Sequence, residues 1–390
     1  MLERLSECLV VEILSLLPIK SVLQLKSVNK FCYNIIKSPY FISKHLKHNN
    51  GRHNNCIIAQ FVVTPGGDLE TRMAWLNDEI DEDNTIDNYM TLHNYCMCGP
   101  CDGLYYACCP RFRVGKRFLW NRALKQVKTL PPIIRKTCMP SNIEYFNENC
   151  GFGFDPVTVD YKVVVIKGYR DSTDELLCPR SFWNYPQSVI LYSLRNDSWN
   201  YLGDLSKSYY LCRNSSYTFL NTSFYWLGSD DFYPFRYNIV IVVNLATEAI
   251  EEIRIPKTRI KGSITQQTYA ECLMVYHSTI ALITLYKDDG CFDIWTLNER
   301  SWSKQLSVKL DSCVRNLLGY YCLHENMVLF GGMNGELVLY YLDLNESRAL
   351  PVNSHGYCRI VSTHMESLVP LNDQQFWLQW EKHRVNIAII

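Results

Sequence analysis

At 390 residues the chain can bury a sizeable core as one large domain or two, and its 39 Lys and Arg balance its 39 Asp and Glu. Zero net charge argues against a general nucleic-acid or membrane-surface binder, which needs a basic excess to neutralise phosphate. Aromatic residues make up 13% of the chain, with 26 Tyr, and favour β structure, because flat, stiff side chains pack well on pleated surfaces.

The opening "MLERLSECLVVEIL" places Glu3, Glu7 and Glu12 where a secretory leader would be uninterrupted and apolar, and no apolar run is long enough to cross a bilayer. The expected compartment is cytosolic or nuclear. The 17 cysteines then stay reduced as small buried hydrophobes, and the sequons at Asn196, Asn214, Asn221 and Asn345 are chance matches.

Three short helices are predicted first. Leu9, Val10, Ile13, Leu14, Leu16 and Leu17 fall at helical spacing on more than one face, with Ser6 as cap and Pro18 as terminator. Ile19 to Val28 carries Val22, Leu25 and Val28 in one stripe. Lys30 to Lys37 turns Phe31, Ile35 and Ile36 inward and stops at Ser38-Pro39. Helices of about ten residues are marginal alone, so this module must lean on something else.

The stretch "LSECLVVEILSLLPIKSVLQLKSVNKFCYNIIKSPYFISKHL" (Leu5 to Leu46) resembles an F-box. The match runs through Leu5, Glu7, Ile13, Leu14, Leu17, Pro18, Lys20, Ser21, Leu25, Val28, Lys30, Ile36, Ser38 and Pro39. The resemblance implies docking on a Skp-type adaptor, and through it on the cullin and RING subunits of an SCF ubiquitin ligase. The adaptor-binding positions it implies are Leu5, Val10, Ile13, Leu14, Leu17, Pro18, Ile19, Lys20, Ser21, Leu25 and Val28. Ser6 replaces the pattern's proline and Cys32 its tryptophan, and the space left by that ring needs refilling by neighbours such as Phe31 and Tyr33.

From about His48 the texture changes. "KHNNGRHNN" is polar and glycine-bearing, which gives an F-box over 1–46, a linker over 47–56 and a β domain over 57–390. His45, His48, His53 and Cys56 fit no standard metal-ligand spacing and read as solvated linker.

Beyond the linker a repeat emerges. "VILYSLRNDSW", "VIVVNLATEAI" and "FDIWTLNERSW" share an apolar strand, a leucine (Leu194, Leu245, Leu297), a polar turn and a large apolar residue. Leu344 belongs to a weaker copy, and Arg122 stands at the equivalent place in "FLWNRALKQVKTLP". A period of about 50 residues built from short strands predicts a kelch-like, propeller-like all-β domain of six or seven blades.

"CDGLYYACC", "LWNRALKQVKTLP", "GFGFDPVTVDYKVVVI", "YTFLNTSFYWLG" and the late "MESLVPL" are similar, in that order, to the F-box-associated region of plant proteins. The order resembles most the S-locus F-box family of self-incompatible plants. That resemblance implies a pollen-side receptor in the pollen-tube cytosol whose substrates are S-RNases. Open alternatives are an F-box receptor for another plant protein, and a kelch-type scaffold or enzyme that meets no cullin.

Other constellations read as structure. Cys96, Cys98, Cys101, Cys108 and Cys109 lack paired CxxC hooks and are expected to pack strands around an Asp102-Gly103 turn. "GFGFDP" and "GGMNG" precede strands rather than helices, offer no helix terminus to a phosphate, and read as turns. No cofactor, metal or catalytic group is expected. Arg111, Arg113, Lys116, Arg117, Arg122, Lys125 and Lys128 read as a solvated basic face. The acidic run Asp78, Glu79, Asp81, Glu82, Asp83 and Asp87 reads either as a solvated face or as the candidate substrate-binding segment for a basic protein.

Overall fold

The computed structural model describes residues 6–51, 57–63, 70–76, 89–93, 95–109, 116–134, 142–171, 185–211, 217–230, 237–256, 269–286, 289–309, 317–324, 327–332, 337–350, 357–363, 366–373 and 376. Four helices open the chain, one more than expected: α1 (Glu7–Ser15), α2 (Ile19–Lys26), α3 (Lys30–Lys37) and α4 (Pro39–Gly51). Ser6 accepts from the Leu9 amide at 3.4 Å, and Asn29 from the Cys32 amide at 2.8 Å. Ser38-Pro39 does end α3, but it also begins α4. Proline suits a first helical position, and Ser38 Oγ accepts from the Phe41 amide at 3.2 Å. The new helix runs to Gly51, into the stretch read as linker.

The remainder is β structure in six antiparallel sheets among the described residues. The first joins β1 (Ile57–Val63), β2 (Glu70–Leu76) and β3 (Tyr89–His93) to the late strand β25 (Tyr357–Thr363). The second holds β4 (Cys96–Cys101), β5 (Leu104–Cys108), β6 (Arg117–Asn121) and β7 (Gln126–Thr129). The third holds β8 (Ile143–Asp155), β9 (Asp160–Asp171), β10 (Ser188–Ser193) and β11 (Ser198–Asp204). The fourth holds β12 (Tyr210–Leu211), β13 (Thr218–Leu220), β14 (Ser223–Ser229), β15 (Ile239–Asn244) and β16 (Ile250–Arg254). The fifth holds β17 (Tyr269–Tyr276), β18 (Thr279–Tyr286), β19 (Cys291–Asn298) and β20 (Ser301–Lys309). The sixth holds β21 (Leu317–His324), β22 (Met327–Gly332), β23 (Leu337–Tyr341) and β24 (Glu346–Leu350).

First strands of neighbouring sheets touch: β4 meets β8, β13 meets β17, β17 meets β21, and β25 meets both β21 and β4. The sheets are therefore blades around an axis. The ring closes where β25 pairs with β1, Thr363 opposite Ile57, so the late strand completes the earliest blade.

The repeat is the hairpin of third and fourth strands. After Asn121, Ser193 and Tyr341 the chain turns through four residues and after Asn244 through five, and the fourth residue of each is left-handed: Lys125 (φ 52), Asp197 (φ 50), Asn345 (φ 55) and Glu248 (φ 58). Leu194 and Leu245 follow the strand end and are buried, and Leu342 follows it in the sixth blade, half-buried against that blade's core. Leu344, the residue aligned from sequence, lies two positions further on and is 64% exposed. The fifth blade turns in two residues, which leaves Leu297 inside its strand opposite Trp302.

The glycine-rich "GFGFDP" is not a turn but the end of β8. A Cβ on Gly151 would lie 2.9 Å from Phe224, and one on Gly153 would lie 2.9 Å from Phe219 and Phe224, so glycine there lets the fourth blade's aromatics press on the backbone. In "GGMNG", Gly331 and Gly332 belong to β22, and the rest lies outside the described residues.

Candidate functional site

Helix α1 has two faces. Val10, Val11 and Leu14 join Ile19, Val22, Cys32, Ile35, Ile36, Phe41 and Leu46 in one buried cluster that also contains Leu104, Tyr106, Leu119, Leu194 and Leu368 of the β domain. The helical module therefore packs its inner face on the second and third blades. Opposite it, Leu9 is 53% exposed, Ile13 45% and Leu16 46%, at i, i+4 and i+7, and Val28 beyond α2 is 67% exposed.

Among the adaptor positions taken from the sequence, Ile13, Pro18, Lys20 and Val28 are exposed and Leu17, Ser21 and Leu25 half-buried. Val10, Leu14 and Ile19 are enclosed by this chain itself, and Leu5 lies outside the described residues. Leu9 and Leu16 complete the open stripe and were missing from that set. Their signal was the same period of 3.6 residues, read for a second face.

The inner face is fixed by polar bonds as well. His45, read from sequence as part of a solvated linker, is fully buried, and its Nε2 lies 3.0 Å from the Leu17 carbonyl at the end of the first helix. Cys32 is fully buried, while Tyr33 is 44% exposed, so of the two neighbours expected to refill the missing ring only Phe31 packs on the cluster.

A late segment, residues 366–373, wedges between helices and propeller. Asn121, at the end of β6, donates to the Ser367 carbonyl at 3.0 Å and to the Val369 carbonyl at 2.8 Å. The Leu371 amide donates to Gln126 Oε1 at 2.9 Å, and Lys37 of α3 pairs with Asp373 at 2.8 Å. This wedge borders a cleft of about 980 Å³, lined by Lys26, Tyr33, Lys125 and Asp197 among others. Burial, then the charge of Lys37, pulls the Lys26 ammonium below the usual lysine range, while the bond to Asp373 raises Lys37.

The basic face expected around Lys116 is only partly solvated. Arg117 is buried and paired with Glu148, and Lys128 bonds Asp197 at 2.9 Å, whereas Arg122 and Lys125 are exposed. Arg111 and Arg113 lie outside the described residues, as do all six carboxylates of the acidic segment. The strand ends that the acidic segment joins are described. Leu76 at the end of β2 pairs with Ile57, the first residue of β1 after the helices, and Tyr89 opens β3 opposite Ala74.

No helix among the described residues is long and apolar enough to cross a membrane. The F-box domain family matches residues 2–44, and the F-box associated beta propeller domain family matches residues 73–353. This chain belongs to the F-box proteins with an F-box-associated propeller.

F-box protein CPR1 of Arabidopsis thaliana is 25% identical to it over 366 residues, covering 86% of this chain and 81% of that one. Among solved structures, oligogalacturonate lyase from Vibrio parahaemolyticus matches at a TM-score of 0.42 and 8% identity over 77% of this chain and 80% of that one. A protein from Lactobacillus plantarum matches at 0.44 and 9%, over 80% and 85%. An F-box domain implies a Skp-type adaptor and a cullin complex. In this F-box protein the described helices carry an open apolar stripe of Leu9, Ile13 and Leu16 on the face away from the blades.

Proposed function

We propose that this F-box protein is the substrate receptor of an SCF ubiquitin ligase. The observation that carries the reading is the division of α1: Leu9, Ile13 and Leu16 face solvent while Val10, Val11 and Leu14 are sealed against the propeller domain. A Skp-type adaptor covering the open stripe, with Pro18, Lys20 and Val28 beside it, would complete the helical core from outside. The receptor then supplies rate without an acid, base or nucleophile, by holding substrate lysines at high effective concentration near the charged ubiquitin enzyme.

The finer reading is a pollen-side receptor for S-RNases. The order of the F-box-associated segments and the "MESLVPL" ending support it, as does the acidic run from Asp78 to Asp87 toward a basic protein. A receptor for a different plant protein keeps the same architecture.

The test is reconstitution of the full chain with adaptor, cullin and RING subunits. Adaptor capture, followed by ubiquitination of a non-self S-RNase but not of the matched self form, is the expected result. Loss of ubiquitination with adaptor capture intact would sink only the substrate assignment. Failure to capture any Skp-type adaptor would sink the receptor reading itself.

A further inference from the structure

Beneath the F-box, where the second blade meets the third, three potential ligand atoms converge. Cys108 Sγ at the end of β5 lies 3.8 Å from Cys150 Sγ on β8, and Cys150 Sγ lies 3.2 Å from Glu148 Oε1. Among the described residues this trio of His, Cys, Asp or Glu side chains is the one whose ligand atoms all lie within 4.8 Å of one another. The sequence hid it, because Cys150 stands 42 residues from the cysteine-rich stretch that drew attention.

We propose that Cys108, Glu148 and Cys150 form a binding site for a tetrahedral, thiophilic divalent cation of the zinc class. Zinc holds sulfur at about 2.3 Å and carboxylate oxygen at about 2.0–2.2 Å, so the edges of its tetrahedron are about 3.8 Å between two sulfurs and about 3.5 Å between sulfur and oxygen. The observed separations of 3.8 Å and 3.2 Å are close to these edges, and the third, between Cys108 Sγ and the Glu148 carboxylate, lies within 4.8 Å. Tyr106, whose hydroxyl lies 4.0 Å from Cys150 Sγ, borders the fourth vertex.

Charge permits the exchange. Glu148 is flanked by two cations: Arg117, whose Nε lies 3.3 Å from Oε1 and whose Nη2 pairs with Oε2, and Lys167, its cross-strand neighbour on β9. Without metal the two sulfurs pack in contact, 3.8 Å apart. Binding one divalent cation releases the two thiol protons, which leaves the net charge of the buried cluster unchanged. The resulting thiolates and carboxylate carry three negative charges against the metal's two, and Arg117 and Lys167 stand beside them. Arg117 can keep its bond to Oε2 while Oε1 turns to the metal, orienting the ligand.

Position gives the site a role. Cys98, Tyr106, Cys108 and Cys150 belong to the same buried cluster as Val10, Leu14 and Leu46 of the F-box. A metal there would pin together the two blades on which the F-box rests.

The test uses the full chain, loaded with zinc alone and dialysed against buffer without chelator, with metal counted by mass spectrometry. One zinc per chain is expected, lost in both Cys108→Ser and Cys150→Ser but retained in Cys272→Ser, a buried cysteine of the fifth blade. Because either serine variant could fail to fold, cobalt(II) loading of the unaltered chain gives a second readout. A tetrahedral visible spectrum, with charge-transfer intensity for two thiolates, is expected. No bound metal, metal retained in both serine variants, a cobalt spectrum without thiolate bands, or a Cys108–Cys150 disulfide in freshly purified protein would each overturn the proposal.

Discussion

The side-chain amide of Asn121 donates to the carbonyl oxygen of Val369 across 2.8 Å of space and 248 residues of sequence. Its second bond, to Ser367, means that one buried side chain holds both carbonyls of the wedge between F-box and propeller. Removing it leaves two buried acceptors without their donor, at about 1–3 kcal/mol for each group. Asn121→Leu should therefore lower unfolding stability by about 2–6 kcal/mol and speed proteolysis between helices and blades. Urea denaturation with timed proteolysis checks it, and an unchanged profile would mean that the wedge is held by its apolar side chains alone.

The two faces of α1 make opposite predictions for substitutions one residue apart. Ile13→Asp places charge on the open stripe, where the free chain tolerates it but an apolar contact does not. Adaptor capture should fall more than tenfold with the melting temperature unchanged. Leu14→Ala cuts into the sealed face and should cost about 2–5 kcal/mol of stability before it affects any partner. Parallel melting and pull-down measurements separate them, and equal effects on both readouts would contradict the division.

Gly151 is set by its neighbour, since a Cβ there would meet Phe224 at 2.9 Å and Trp226 at 3.0 Å. Gly151→Ala should cost about 1–3 kcal/mol through overpacking, and Phe224→Leu in the same chain should recover part of that loss. A double variant whose cost equals the sum of the single costs would show that the strand relaxes away from the ring.

Legibility from sequence followed the range of each interaction. The limits of the first three helices, the Asp102-Gly103 turn and the hairpin repeat rest on residues within a few positions of one another, and the sequence shows them; the fourth helix was hidden because Ser38-Pro39 signals both a stop and a start. Leu344 was misplaced because a turn of two residues in the fifth blade shifts the alignment against turns of four or five elsewhere. The second face of α1 carried the necessary signal in Leu9 and Leu16, but one helix can present two apolar faces, and sequence does not say which is covered. Gly151 against Phe224, Arg117 against Glu148 and Cys108 against Cys150 are contacts between strands far apart in the chain, and no local pattern announces them.

In the third blade Lys162 Nζ stands 2.8 Å from Asp155 Oδ2, with both side chains almost wholly buried, and also donates to the Leu245 carbonyl at 2.9 Å. Burial alone would raise the Asp155 carboxyl, but its bonds to Lys162, Thr158 and the Val157 amide outweigh that and hold it below the usual carboxylate range. A depressed pKa in the folded state means that the folded chain binds fewer protons. The contribution is therefore complete above the ordinary carboxylate value of about 4 and is lost as pH falls through the lower folded value. Lys162→Met leaves a buried carboxylate without its cation and should cost about 3–5 kcal/mol at neutral pH. The deficit should shrink on acidification, as Asp155 becomes protonated. Denaturant titrations at neutral and acid pH decide it, and a deficit independent of pH would show that lost packing of the lysine stem, not charge, is responsible.

The acidic segment from Asp78 to Asp87 follows β2 in the sequence and gathers six carboxylates with no basic residue among them. Zero net charge leaves no long-range pull from the whole chain, so steering must come from such a local concentration of carboxylates. Charges at the rim of a contact change association more than final affinity, and their effect fades once ions separated by more than about 10 Å are screened near 0.1 M salt. Neutralising Asp81, Glu82 and Asp83 to Asn, Gln and Asn should slow capture of a basic S-RNase several-fold at low ionic strength, leave its dissociation rate nearly constant, and matter less as salt rises. Surface-binding kinetics at two ionic strengths give both rates. Equal association rates for the two proteins at low salt would remove this segment from recognition and turn the search to the connections on the opposite face of the blades.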